Sequence, residues 1–310
     1  MQRRNFLKQN ILVSGAVLSA SNIWANDKNS QQPFVVQKDA PPFKMNYGIH
    51  DGMLSALAGS SFIDQIKFAH SVGFRAIEDN GMMDRTPEMQ QKIGDTLREL
   101  GMSMGVFVLN FDHWPVKTSL TSGSKEWREK FLSACKEAVA VSKRCNGNLI
   151  TVVPGNYARD LKIDIQTANV IEALRPGIEW LEKHNIVVVL EPLSDTPDLF
   201  LRYSDQTYAI CKALNSPSCK ILYDIYHMQR NEGNLIKNID ACWDEIGYIQ
   251  IGDNPGRNEP GTGEINYKNV FKHLHAKGYK GVLGMEHGIA GNGKEGALAL
   301  IEAYRLVDNF

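Results

Sequence analysis

The chain has 310 residues, 34 Lys and Arg against 35 Asp and Glu, and 43% hydrophobic residues. A formal net charge of −1 supplies no basic surface for capturing nucleic acid, and the apolar content is that of a globular chain rather than a disordered one. The five Cys, at 135, 145, 211, 219 and 242, form no C-x-x-C pair and leave an odd one out, so buried free thiols are expected rather than a disulfide framework or a Cys-based zinc site.

Residues 1–25 read as an export signal. Arg3-Arg4 precedes Asn5-Phe6-Leu7-Lys8, an apolar stretch runs from Ile11 to Ala20, and Ala25 offers the small residue that cleavage needs. The run Arg-Arg-x-Phe-Leu-Lys is similar to the twin-arginine signature, with Gln2 where Ser or Thr is usual. Ser14, Gly15 and Ser19 interrupt a stretch already too short to span a bilayer, and no other segment approaches that length. The expected location is therefore the periplasm. Residues 26–42 are polar and contain Pro, as a linker would.

From residue 43 to 310 short apolar runs alternate with longer amphipathic ones. Strands are predicted at 44–49, 74–78, 103–109, 148–153, 186–191, 219–224, 246–251 and 281–286. Helices are predicted near 61–72, 86–100, 124–144, 164–184, 203–214, 234–243, 267–277 and 295–307. The β-branched run at 186–190 suits a strand buried on both faces. Pro176 predicts a kink or break near Arg175. Gly73, Gly101, Asn185 and Gly278 mark exits from helices into strands. Repeated strand–helix pairs point to a parallel sheet. The length fits a single closed (β/α)8 barrel, typically about 250 residues. An open doubly wound sheet would want a Gly-rich phosphate turn after its first strand, and Gly48-Ile-His-Asp-Gly52 does not spell one.

Chemistry in such barrels sits at the C-terminal ends of the strands. There the chain places Glu191, Asp224, Gln250 and Glu286, on four consecutive strands. Each carboxylate follows a hydrophobic run, so burial is expected, and three buried carboxylates side by side would repel. A divalent cation removes that conflict, and an all-oxygen set suits Mg²⁺ or Mn²⁺ better than Zn²⁺. Taken singly, each residue would be an ordinary surface or ion-pair group.

The stretch Ile249-Gln-Ile-Gly-Asp-Asn-Pro-Gly-Arg-Asn-Glu-Pro-Gly-Thr-Gly-Glu-Ile-Asn-Tyr267 resembles the signature of the hydroxypyruvate isomerase family, within the xylose isomerase-like barrels. Leu190-Glu-Pro192, Tyr223-Asp-Ile-Tyr-His-Met-Gln229 and Gly284-Met-Glu286 fall in the order the family shows, and the resemblance covers about 44–308. It implies that Glu191, Asp224, Gln250 and Glu286 bind one divalent metal and that Glu191 and Glu286 are the catalytic acid/base pair. It also implies a substrate-binding role for His227, three residues after Asp224. Arg257, in the Gly/Pro-rich loop after the seventh strand, reads equally as a fork for a substrate carboxylate or hydroxyls and as a loop ion pair with Asp253 or Glu259. Tyr248, Asn258 and His287 stand where the family tends to have His, His and Tyr, which leaves the ligand set intact and bears on the substrate. Glu78, ending the second strand, is a candidate to support a ligand from behind. Glu264 precedes Asn266, an expected helix cap, and reads as structural. His50, Asn110, His113 and Trp114 follow the first and third strands, where they could shape the pocket, and are read as ordinary barrel-loop residues.

The expected reaction is aldose–ketose isomerisation of a small sugar, keto-sugar or sugar acid, by proton transfer beside a carbonyl. Ketose 3-epimerase and sugar-acid dehydratase chemistry start with the same step and stand as alternatives. A non-catalytic periplasmic sugar-binding protein is the reading from a different class, against which the two Glu count. Endonuclease chemistry would want a His-rich multi-zinc site. Homo-oligomerisation is left open by the sequence.

Overall fold

The computed structural model describes residues 39–109 and 119–310. The expected signal at 1–25, most of the linker at 26–42, and Asn110, His113 and Trp114 lie outside the described residues. The strands are β1 (Asn46–Ile49), β2 (Ala76–Ile77), β3 (Ser103–Met104), β4 (Val106–Val108), β5 (Leu149–Val152), β6 (Val187–Leu190), β7 (Cys219–Asp224), β8 (Ile246–Gln250) and β9 (Val282–Gly284). Their order is β3-β2-β1-β9-β8-β7-β6-β5-β4, with every pairing parallel.

The two strands at the ends of that order are consecutive in the chain. β3 pairs with β2 and β4 with β5, and Gly105 alone separates them. They are one stave shared between two neighbours: Gly105 N–H donates to Ile77 O at 2.7 Å, and Asp79 N–H to Val106 O at 3.2 Å. The sheet thus closes into a barrel whose staves match the eight predicted strands.

Alternation along the staves gives two cores. Ala76, Val106, Val189, Leu222, Tyr248 and Val282 fill the barrel interior. Their chain neighbours, such as Val188, Leu190, Ile221, Tyr223 and Ile249, face the helices and join the larger outer core. The predicted two-sided burial of the 186–190 run is observed, with Val188, Val189 and Leu190 fully buried. Each such side chain contributes about 1.5–3 kcal/mol through burial.

The helices follow their sequence signals. Thr86 Oγ1 accepts from Met89 N–H and Pro87 takes the first turn of Pro87–Leu100. Asn266 Oδ1 caps Tyr267–Ala276 through Asn269 N–H, as expected. Gly73, Gly101, Asn185 and Gly278 all adopt positive φ at helix exits. The helix Ile163–Glu182 runs through Pro176 without the predicted break. Pro176 and Glu172, whose carbonyl loses its donor, both lie on the exposed face, where water can take the vacant bond. Sequence reading missed the short helices Ser55–Ala58 and Ile225–Asn231. All five Cys are buried and free. Among the described residues no helix is long and apolar enough to cross a membrane.

Candidate active site

Each predicted carboxylate is delivered by the end of a stave. Glu191 follows β6, Asp224 ends β7 and Glu286 stands two residues beyond β9. One ligand atom from each of Glu191, Asp224, His227 and Glu286 can be chosen so that all lie within 4.8 Å of one another. Gln250 ends β8 in register with Asp224 on one side and Gly284 on the other.

The oxygens differ in what they already do. Asp224 Oδ1 caps the helix Ile225–Asn231, accepting from Tyr226 N–H at 2.7 Å and His227 N–H at 3.3 Å. Its Oδ2 faces Arg257 Nη2 at 3.2 Å. Glu286 Oε1 accepts from Asn80 Nδ2 at 2.6 Å and Oε2 from Arg257 Nη2 at 2.7 Å. Glu191 Oε1 and Gln250 Oε1 are buried with no hydrogen-bond partner. Native interiors leave few polar atoms in that state, and two orphaned acceptors beside two carboxylates fit a hard cation with oxygen ligands. The residues that would hold it are Glu191, Asp224, Gln250 and Glu286.

His227 has another role open to it. Its Nδ1 accepts from Ser194 N–H at 3.2 Å and lies 2.8 Å from Ser194 Oγ. A ring nitrogen that accepts from an amide carries no proton, so in neutral His227 the proton sits on Nε2. Burial lowers the His227 pKa and keeps the ring neutral. Nε2 is buried, lies 3.5 Å from Asp224 Oδ2 and has no hydrogen-bond partner. In that tautomer Nε2–H can donate into the site but cannot ligate a cation.

Arg257 does not pair with Asp253 or Glu259, as one of its two readings expected. Its guanidinium reaches into the carboxylate cluster, while Asp253 and Glu259 are occupied by backbone. Asp253 accepts from Gly261, Gly263 and Ile265 N–H at 2.9, 2.9 and 3.0 Å. Glu259 accepts from Ala290 N–H at 2.9 Å. Arg257 Nε also donates to Glu286 O at 3.1 Å, and Cζ lies 5.0 Å from the Tyr226 ring centre. Glu264 is structural, as expected, accepting from Asn254 Nδ2 at 2.5 Å and Gln229 Nε2 at 3.2 Å.

Burial pushes the Glu191 pKa well above the usual carboxyl range, and Glu286 and Asp224 add repulsion. Burial likewise pushes Glu286 up to about 7, with Arg257 opposing. Burial alone would lower the His50 pKa, but Glu78 overrides it and the net shift is upward. A cavity of about 420 Å³ opens on the cluster, walled by Met83, Val108, Leu109, Val153 and Leu193 and edged by Asp84 and Asp195. That volume is ordinary for a small-molecule site. Asn80 and Ser194 were missed from sequence: both are loop residues without a spacing rule.

Residues 66–306 match the family described as the xylose isomerase-like TIM barrel. The chain belongs to that family. Among its relatives is the hydroxypyruvate isomerase of Escherichia coli (strain K12), 35% identical over 165 residues, which span 53% of this chain and 62% of that enzyme. The 2-oxo-tetronate isomerase of Cupriavidus necator is 26% identical over 73% of this chain and 87% of its own length. These relatives mark this xylose isomerase-like barrel as an isomerase. A solved structure of 3-keto-D-glucoside 4-epimerase from E. coli shares the fold, with a TM-score of 0.72 at 19% identity over 86% of this chain and all of the other.

Proposed function

We propose that the protein is a divalent-metal-dependent aldose–ketose isomerase acting on a small sugar, keto-sugar or sugar acid. The observation that carries this reading is the convergence of Glu191, Asp224 and Glu286 within 4.8 Å, with the Glu191 Oε1 left without a partner. A divalent cation bound by Glu191, Asp224, Gln250 and Glu286 would polarise the substrate carbonyl and make the adjacent C–H acidic. With a cation in place Glu191 and Glu286 would be held as carboxylates, one placed to take that proton and return it to the neighbouring carbon while the hydroxyl proton passes to the former carbonyl oxygen. His227 Nε2–H donates to a substrate oxygen, and Arg257 presents donors to a hydroxyl or carboxylate. The apolar walls at Met83, Val108, Leu109, Val153 and Leu193 would pack against the carbon chain.

A pair of carboxylates can also take a proton from one face of a carbon and deliver one to the other. Epimerisation is therefore the second reading, and it rests on the same two Glu. The export reading rests on the Arg3-Arg4 run and the apolar stretch after it.

The test is proton NMR in D₂O with Mg²⁺ or Mn²⁺, the latter chelated before recording. Hydroxypyruvate, a 2-oxo-tetronate and a panel of free keto-sugars are the substrates. Metal-dependent deuterium incorporation, lost on Glu191→Gln, is expected, and the product separates isomerase, epimerase and dehydratase. Metal binding without exchange on any substrate would favour a binding role instead.

A further inference from the structure

Glu78 is fully buried at the end of β2, and the reaction outlined above does not use it. Three side chains donate to it. Its Oε1 accepts from His50 Nε2 at 2.9 Å and from Gln250 Nε2 at 2.6 Å, and its Oε2 accepts from the Tyr248 hydroxyl at 2.6 Å. The barrel makes room for this cluster with two glycines. A Cβ at Gly284 would stand 1.6 Å from Glu78 Oε2, and one at Gly105 would stand 2.3 Å from the Tyr248 hydroxyl.

A carboxylate only accepts hydrogen bonds, so the face that Gln250 turns to Glu78 must be its NH₂. Its carbonyl oxygen then points the other way, where it is buried without a partner. A glutamine amide is otherwise two-faced: unclamped, it could offer the site either an oxygen, which binds a cation, or an NH₂, which repels one.

We propose that Glu78 is a positioning residue that locks the Gln250 amide with its oxygen toward the cation, and that Tyr248 and His50 hold Glu78 in place to do so. This rests on the metal reading above. It also gives Tyr248 a role, since its hydroxyl crosses the barrel interior to occupy the second Glu78 oxygen. Groups that orient a metal ligand from behind typically change affinity by about 10–100-fold when removed.

The test is calorimetric titration of the purified full-length chain with Mn²⁺ alone. Glu78→Gln is expected to weaken binding about 10–100-fold, because its own amide can donate to Gln250 and let that side chain turn over. Gln250→Glu alone sets two carboxylates together and is expected to fold poorly or bind weakly. The double variant Glu78→Gln/Gln250→Glu restores a donor–acceptor pair and is expected to return toward wild-type affinity; melting temperatures of all variants are measured alongside, and an affinity that varies among variants of equal melting temperature separates positioning from a structural role. Should Glu78→Gln fail to fold, Tyr248→Phe loosens the same clamp and is expected to weaken binding a few-fold. Folded Glu78→Gln with wild-type affinity, where Gln250→Ala has lost it, overturns the positioning role and leaves the ligand set standing. Wild-type affinity in Gln250→Ala overturns both the positioning role and Gln250 as a ligand. A wild-type chain that binds no Mn²⁺ overturns the metal reading itself.

Discussion

The Ser194 amide that donates to His227 Nδ1 fixes which nitrogen of that ring carries the proton. His227 therefore has an Nε2–H left to donate although that nitrogen lies among the carboxylates, and its proposed role as a donor to substrate makes a testable demand. Replacing it by Phe removes one hydrogen bond, so kcat/KM is expected to fall roughly 10–100-fold while Mn²⁺ affinity stays unchanged. A parallel loss of Mn²⁺ affinity in titration would make His227 a ligand instead. Glu191→Gln removes a proton acceptor outright and is expected to lower kcat by about 10²–10⁴, measured as deuterium exchange. A lone carboxylate at a strand end is ordinary, and Glu191, Asp224 and Glu286 were legible only together, because the ends of consecutive barrel strands meet at one rim. Asn80 and Ser194 were not, because what they do depends on where a loop doubles back, and no periodicity records that.

Among the elements, the loop after β8 shows how one buried acid can carry a functional side chain. Arg257 adopts φ of 50°, a left-handed conformation that costs a residue with a Cβ about 1–2 kcal/mol. The loop holds it there through Arg257 N–H to Asp253 O at 2.7 Å, Asp253 N–H to Asn258 O at 2.8 Å, and the three amides on the Asp253 carboxylate. Asp253→Ala leaves those three N–H groups without their acceptor and is expected to cost about 2–4 kcal/mol in urea unfolding. Because Arg257 is displaced with the loop, KM should rise as well. Packing between helices sets a second expectation at Gly177, inside Ile163–Glu182. Ala has the better helix propensity by about 1 kcal/mol. A Cβ there, however, would stand 2.4 Å from the Phe131 ring and 2.8 Å from Cys135 Sγ on the neighbouring helix Lys125–Cys145. Overpacking of that kind costs about 1–3 kcal/mol, so Gly177→Ala should lower the melting temperature despite its propensity. The helix pattern was readable from spacing, but the close approach was not, since it needs the partner helix in place.

At the scale of the whole barrel, the strand ends were readable together because one rule, chemistry at the C-terminal rim, converts eight separate endings into one site. The split of the third stave at Gly105 was not readable, because it follows from closing the sheet around Tyr248 rather than from local sequence. The same closure concentrates acid at the rim, and that acid links stability to pH. With no metal bound, burial raises the Glu191 pKa and takes Glu286 from 4.5 to about 7. Over that interval the folded state holds protons that the unfolded state has released. Its stability therefore falls as pH rises from about 4.5 toward 7. His227 and His287, whose pKa values burial lowers, the latter to about 4, act in the opposite direction over an overlapping interval. The raw stability curve mixes the two, so the informative quantity is the difference between wild type and Glu191→Gln or Glu286→Gln. Each Gln variant lacks one carboxyl and keeps the His residues, so it should gain on wild type steadily between pH 4.5 and 7 in urea titrations without metal. Saturating Mn²⁺ should reverse the order. Binding needs the carboxylates deprotonated, so its stabilisation, about 2.7 kcal/mol at a hundred times Kd, should grow with pH and favour wild type over a variant that has lost one anionic ligand. A Gln variant that neither gains without metal nor falls behind with it would mean that the rim carboxyls titrate normally and that the cluster is no cation site.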